Sequence, residues 1–119
     1  MKMYHAVSTT WGPTDTTRAS LPFIFAATAL ESGDSVMIVL FHDAVFLAVD
    51  GAAEQVVPVG PAPRFDEVQA HANAEIIVCK PCAAARGITE QALTDGCTFG
   101  GMDDFYAHGS RDDCKVVTF

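Results

Sequence analysis

Basic residues are scarce in this chain. Seven Lys and Arg stand against 15 Asp and Glu among 119 residues, a formal net charge of -8. The few cations form no run and no aromatic-basic stripe that would follow a phosphate backbone, so no nucleic-acid partner is expected. Long apolar runs are missing as well. Residues 36–41 (VMIVLF) are far too few to cross a bilayer, and the start, MKMYHAVSTT, has no apolar signal region. No membrane association is expected, and the expected location is cytoplasmic. There is also no GxGxxG, GxxxxGK[ST] or GxSxG pattern, so nucleotide-binding and serine-hydrolase readings have no anchor.

Apolar residues, by contrast, make up 50 % of the chain. That is ample for the core of one domain over residues 1–119. Eight phenylalanines exceed what one small core needs, and burial against further copies of the chain, a homo-oligomer, is the expected outlet. The four cysteines are at positions 79, 82, 97 and 114. In a reducing compartment they read as reactive, metal-binding or packing thiols before structural bridges.

Strand and helix signals alternate. Strands are predicted at 3–9, 36–41, 74–78, 97–99 and 115–119, and helices at 17–32, 44–49, 64–72, 80–86 and 102–108. The first helix is apolar on two faces and contains Pro22, which predicts a kink or a start near Ser20; Gly33-Asp34 supplies its stop. Residues 50–63, with three prolines, are expected to form a mobile loop. Alternation of this kind points to a parallel sheet with helices on both faces, with ligands at the carboxyl ends of the strands. The Trp11 loop, His42-Asp43, Cys79 and the Gly100-Gly101 turn would meet there.

Chemistry concentrates in EIIVCKPCAAARGI, residues 75–88. Cys79 ends a strand and Lys80-Pro81 begin a helix, so free N–H groups, Lys80 and Arg86 are expected to favour its thiolate. Cys82 lies one helical turn on, within reach of Cys79 for a disulfide or a shared sulfur. The plain alternative is that both are small packing residues. Cys97 and Cys114 form no second knuckle, so no metal site is expected, and both read as buried packing. No cofactor is expected either. His42, at the sheet edge, is a candidate to hydrogen-bond or deprotonate a thiol. His5, His71 and His108 read as packing or surface residues, and Trp11 as a candidate binding residue or a cover over the core.

Taken in order, these segments resemble the DsrE/DsrF-like family (DsrE, TusD and YchN-type) of small sulfur-relay proteins. The resemblance rests on GPTDTTRA after the first strand, Leu21-Pro22, VMIVLFHDAVFL, IIVCKPCAAARGIT, GGMDDF and the final KVVTF. It implies a three-layer α/β/α sandwich around a mostly parallel five-stranded sheet ordered 2-1-3-4-5, with the Trp11 loop bordering Cys79. It also implies trimers, or hexamers built from two trimers. In the sulfur-transferring members a cysteine ending the third strand, eight residues before the glycine of an Arg-Gly pair, carries a persulfide; Cys79 and Gly87 have that spacing. Cys79 would then take sulfane sulfur from a donor persulfide and pass it to an acceptor thiol on a TusA-like carrier. Two positions depart from the pattern: relatives usually have a small apolar residue at 82 and often Gly at 42. Cys82 therefore opens a second reading, a dithiol redox protein using a Cys79-Cys82 disulfide. A third is a non-catalytic oligomeric binding module.

Overall fold

The run Ser35–Leu40 is apolar on both faces, and in the computed structural model, which describes residues 2–53 and 64–119, it lies inside the sheet with Val36 to Leu40 almost wholly buried. Five strands pair in parallel: β1 (Tyr4–Thr9), β2 (Ser35–Leu40), β3 (Ala74–Cys79), β4 (Cys97–Gly100) and β5 (Cys114–Thr118). Between them lie α1 (Thr16–Glu31), α2 (Phe65–Ala70), α3 (Lys80–Ala85) and α4 (Met102–Gly109), with 3-10 turns at His42–Ala48 and Glu90–Ala92. Most of the expected irregular stretch at 50–63 falls outside the described residues.

The α/β architecture with a parallel five-stranded sheet is the one the resemblance implies. Along the sheet, however, the order is β4-β3-β2-β1-β5. β1 lies between β2 and β5, so the first and third strands are not neighbours as a 2-1-3-4-5 order has it. The physical reason lies in β2: a strand buried on both faces belongs inside a sheet, whereas β5, with Lys115, Val116 and Thr118 exposed, suits an edge.

This order fixes the layers. The steps β1 to β2, β2 to β3 and β3 to β4 all run one way, and right-handed crossovers place α1, α2 and α3 on one face. The step from β4 back to β5 runs the other way, so α4 lies on the opposite face. The apolar packing follows. Val7, Val36, Ile38, Leu40, Ile76 and Val78 meet Phe23 and Leu30 of α1, Phe65 and Val68 of α2 and Ala83 of α3. Ala6, Met37, Val39 and Ile77 meet only Phe105 of α4 with Tyr4, Phe41 and Cys114 around them.

α1 starts where the sequence suggests, with the Asp15 carboxylate accepting from the Arg18 N–H at 3.1 Å. It runs through Pro22 without a break, so the helix neither starts late nor ends there. The missing N–H costs one backbone bond, and burial of Ala19, Phe23, Ala26 and Leu30 along the same face outweighs it. Gly33, at φ 88°, closes the helix in the left-handed conformation that the sequence predicts there. Among the described residues, no helix is long and apolar enough to cross a membrane.

Candidate functional site

Neighbouring strands whose connections leave toward opposite faces open a crevice at their carboxyl ends. Here that happens between β3 and β4: β3 feeds α3 on the three-helix face, and β4 feeds α4 on the other. A cavity of about 490 Å³ lies at this point, lined by Phe41, Cys79 and Pro81 on one side and by the segment from Gly100 to Asp104 on the other. Cys79 is the last residue of β3, is 7 % exposed, and lines this cavity.

The wall opposite Cys79 depends on close approach at Gly100. A Cβ there would press on the Asp104 carboxylate and stand 2.6 Å from Ile77 Cγ2. The same carboxylate accepts from the Gly101 N–H at 2.9 Å and so fixes the first turn of α4, while Met102 and Asp103 complete the rim. Phe41, Asp103 and Asp104 were not singled out by sequence reasoning. The available signal was the acidic first turn after a glycine pair, GGMDD, which reads equally well as an ordinary helix start.

The electrostatics of Cys79 differ from the expectation of a favoured thiolate. Burial pushes the thiol up from its ordinary value; the hydrogen-bonded Cys82 thiol adds to the rise, while the Cys82 backbone N–H and the Arg86 charge pull it down. Burial wins for two reasons. α3 has only six residues, too few for a strong dipole, and Lys80 is exposed.

Arg86 is tied down on three sides. Its Nε donates to Asp43 Oδ1 at 2.9 Å, its Nη1 to the Cys82 carbonyl at 3.0 Å, and its Nη2 lies 2.8 Å from His42 Nδ1. A guanidinium has no lone pair to offer, so His42 Nδ1 accepts and the neutral ring carries its proton on Nε2. His42 adopts φ 53°, the left-handed region that residues other than glycine adopt uncommonly. Gly12 packs against the Asp43 backbone so closely that a Cβ would collide with its carbonyl group, whose carbon would be 2.8 Å away. Thus Cys79, Cys82, Arg86 and His42 are joined into one cluster, and Asp43, which sequence reasoning placed at the edge without a role, is its missing member.

Trp11 stands apart. Its ring lies under the Arg18 guanidinium, 4.3 Å from centroid to Cζ, and with Leu21 and Phe119 it lines a separate cavity of about 200 Å³. With β2 separating β1 from β3, the indole does not border Cys79; only its neighbour Gly12 reaches the cluster. Cys97 is buried and Cys114 half-buried, each a free thiol away from the cavity. Among the described residues, no group of three or more His, Cys, Asp or Glu side chains is placed to hold a metal ion.

The model of the DsrE/DsrF-like family matches residues 1–119. The chain belongs to the DsrE/DsrF-like family. An uncharacterized protein of Methanocaldococcus jannaschii is 33 % identical over 120 residues, covering 98 % of this chain and 100 % of the relative. One from Methanopyrus kandleri is 36 % identical over 87 residues, covering 73 % of this chain and 70 % of its own length. The crystal structure of the YchN protein from E. coli superposes with a TM-score of 0.79 at 23 % identity, each chain covered in full. A protein of unknown function from Methanobacterium thermoautotrophicum gives 0.68 at 9 % identity, again over both whole chains. Both solved structures share the fold of this DsrE-like chain, and family membership is consistent with a general role in sulfur relay.

Proposed function

We propose that this DsrE-like protein carries sulfane sulfur as a persulfide on Cys79 and hands it to an acceptor thiol. The observation that carries the reading is Cys79 itself, a nearly buried strand-end thiol that lines the 490 Å³ cavity between α3 and α4. Its thiolate attacks the outer sulfur of a donor persulfide. The donor's S–S bond breaks, a Cys79 S–S bond forms, and the donor leaves as a thiolate that takes up the proton lost by Cys79. An acceptor thiolate then attacks the outer sulfur and regenerates Cys79. The raised Cys79 pKa suits a resting, protonated thiol whose thiolate, once formed, is the stronger nucleophile.

The proposed setting is the cytoplasm, with protein thiols as donor and acceptor, a TusA-like carrier among them. Trp11, His42, Lys80 and Arg86 are proposed contacts or supports for those partners, Arg86 through the Cys82 carbonyl. A homo-oligomer, three chains or six, is proposed because Met102, Tyr106 and Val116 leave apolar surface on the α4 side of the sheet.

Exposure to inorganic polysulfide followed by intact mass tests the central step. Cys82→Ala is expected to gain one sulfur, mapped to Cys79, and Cys79→Ser/Cys82→Ala to gain none. Equal uptake by the double variant overturns the assignment.

A further inference from the structure

Cys82 has no part in the transfer just described, yet its position is specific. It is half-buried in the first turn of α3 and packs toward the three-helix side of the sheet. It stands one helical turn after Cys79, near enough to push the Cys79 thiol up, and its carbonyl is held by Arg86 Nη1 at 3.0 Å. It does not line the cavity, whereas Cys79 does. An outer sulfur carried on Cys79 therefore has its room in the cavity, which Cys82 does not line.

We infer that Cys82 is a resolving cysteine: it attacks the inner sulfur of the Cys79 persulfide, releasing sulfide and leaving a Cys79-Cys82 disulfide. The inference rests on the proposed persulfide at Cys79. Displacement at sulfur requires the attacking and leaving sulfurs on opposite sides of the central one, so the step needs the outer sulfur seated in the cavity and Cys82, which does not line it, attacking from outside it. The bond that forms joins Cys82 Sγ to Cys79 Sγ, and the bond that breaks joins Cys79 Sγ to the outer sulfur. The leaving hydrosulfide takes up the proton that Cys82 loses. The two thiol-derived sulfurs are oxidised to the disulfide, and the sulfane sulfur, which receives the electron pair, is reduced to sulfide. No outside oxidant is needed. A dithiol reductant returns the pair to the free thiols. A loaded protein consequently has two exits for its sulfur, transfer to an acceptor or discharge as sulfide when no acceptor arrives, and this second exit distinguishes it from relatives with a small apolar residue at position 82.

The test loads the wild type, Cys82→Ala and Cys82→Ser with inorganic polysulfide, removes the excess, and follows intact mass and free sulfide at neutral pH with no thiol added. The wild type is expected to lose its added sulfur, release one equivalent of sulfide, and end two hydrogens lighter than the reduced chain with a mapped Cys79-Cys82 bond. Both variants are expected to hold the added sulfur at least about tenfold longer, given the advantage of an attacking group already in place. A wild type that keeps its sulfur as long as the variants do, or that releases sulfide without forming the bond, overturns the inference while leaving the persulfide at Cys79 standing. Variants that fold, as judged by cooperative thermal unfolding, yet take up no sulfur on Cys79 overturn both.

Discussion

At Cys79 burial and the neighbouring Cys82 thiol outweigh the charge of Arg86 and push the thiol up. Two outcomes follow at the scale of single residues. Alkylation of Cys79 by iodoacetamide is expected to climb only at higher pH than for a free cysteine, and Cys82→Ala is expected to move that midpoint down, because the Cys82 thiol is among the groups that raise it. A pH–rate profile that moves up in Cys82→Ala would show that the Cys82 thiol does not raise that of Cys79. Cys97, at the start of β4, is pushed by burial from 9.0 up to about 12. Below pH 9 both folded and unfolded chains keep this proton; between about 9 and about 12 the unfolded chain has lost it while the folded chain retains it. Stability from this residue is thus complete below 9 and falls as pH rises through that window, by at most about 1.4 kcal/mol per unit. Urea midpoints measured across the window should fall less steeply in Cys97→Val.

Among the elements, the 3-10 turn at His42–Ala48 supports α3 from a distance. Gly12 presses on Asp43, Asp43 grips Arg86, and Arg86 holds the Cys82 carbonyl. Gly12→Ala is expected to destabilise the fold by about 1–3 kcal/mol, because the new Cβ collides with backbone rather than with a side chain that can turn away. Thermal unfolding checks the loss, and faster Cys82 alkylation would report the loosened Arg86. Arg86→Lys should keep the charge but lose the three-way grip, since an ammonium has no planar fork, and should loosen Cys82 in the same assay. The strand-Cys-helix unit was legible in the sequence because its signals are local: an apolar run, then Lys80-Pro81, then Gly87. The Arg86–Asp43 contact was not, since it spans 43 residues and no local pattern encodes it. The thiolate expectation failed for a related reason: helix starts can be read from spacing, but the burial that outweighs them depends on Phe41 and α4, contributed by other parts of the chain.

For the whole molecule, the alternation of elements gave the parallel α/β architecture, while the lateral order of strands depended on a different kind of signal, the burial of β2 on both faces. That order leaves the sheet unequally covered. Three helices pack on one side and the eight residues of α4 on the other, with Tyr106 at 75 % and Val116 at 52 % exposure. A Tyr106→Glu/Val116→Asp variant is expected to have a lower assembly mass by light scattering, with its thermal unfolding still cooperative. An unchanged mass would show that copies meet elsewhere.

Because α3 and α4 leave adjacent strands toward opposite faces, the wall with the cysteine pair and the facing acidic wall belong to separate layers of the sandwich. The two can be redesigned independently: Asp103 can be exchanged to suit a partner of different charge without repacking the helix beneath Cys79, and the cysteine pair can be altered without disturbing the rim that a partner would meet. A small protein with a thiol at such a divide can vary the thiol's surroundings and the facing rim in separate steps.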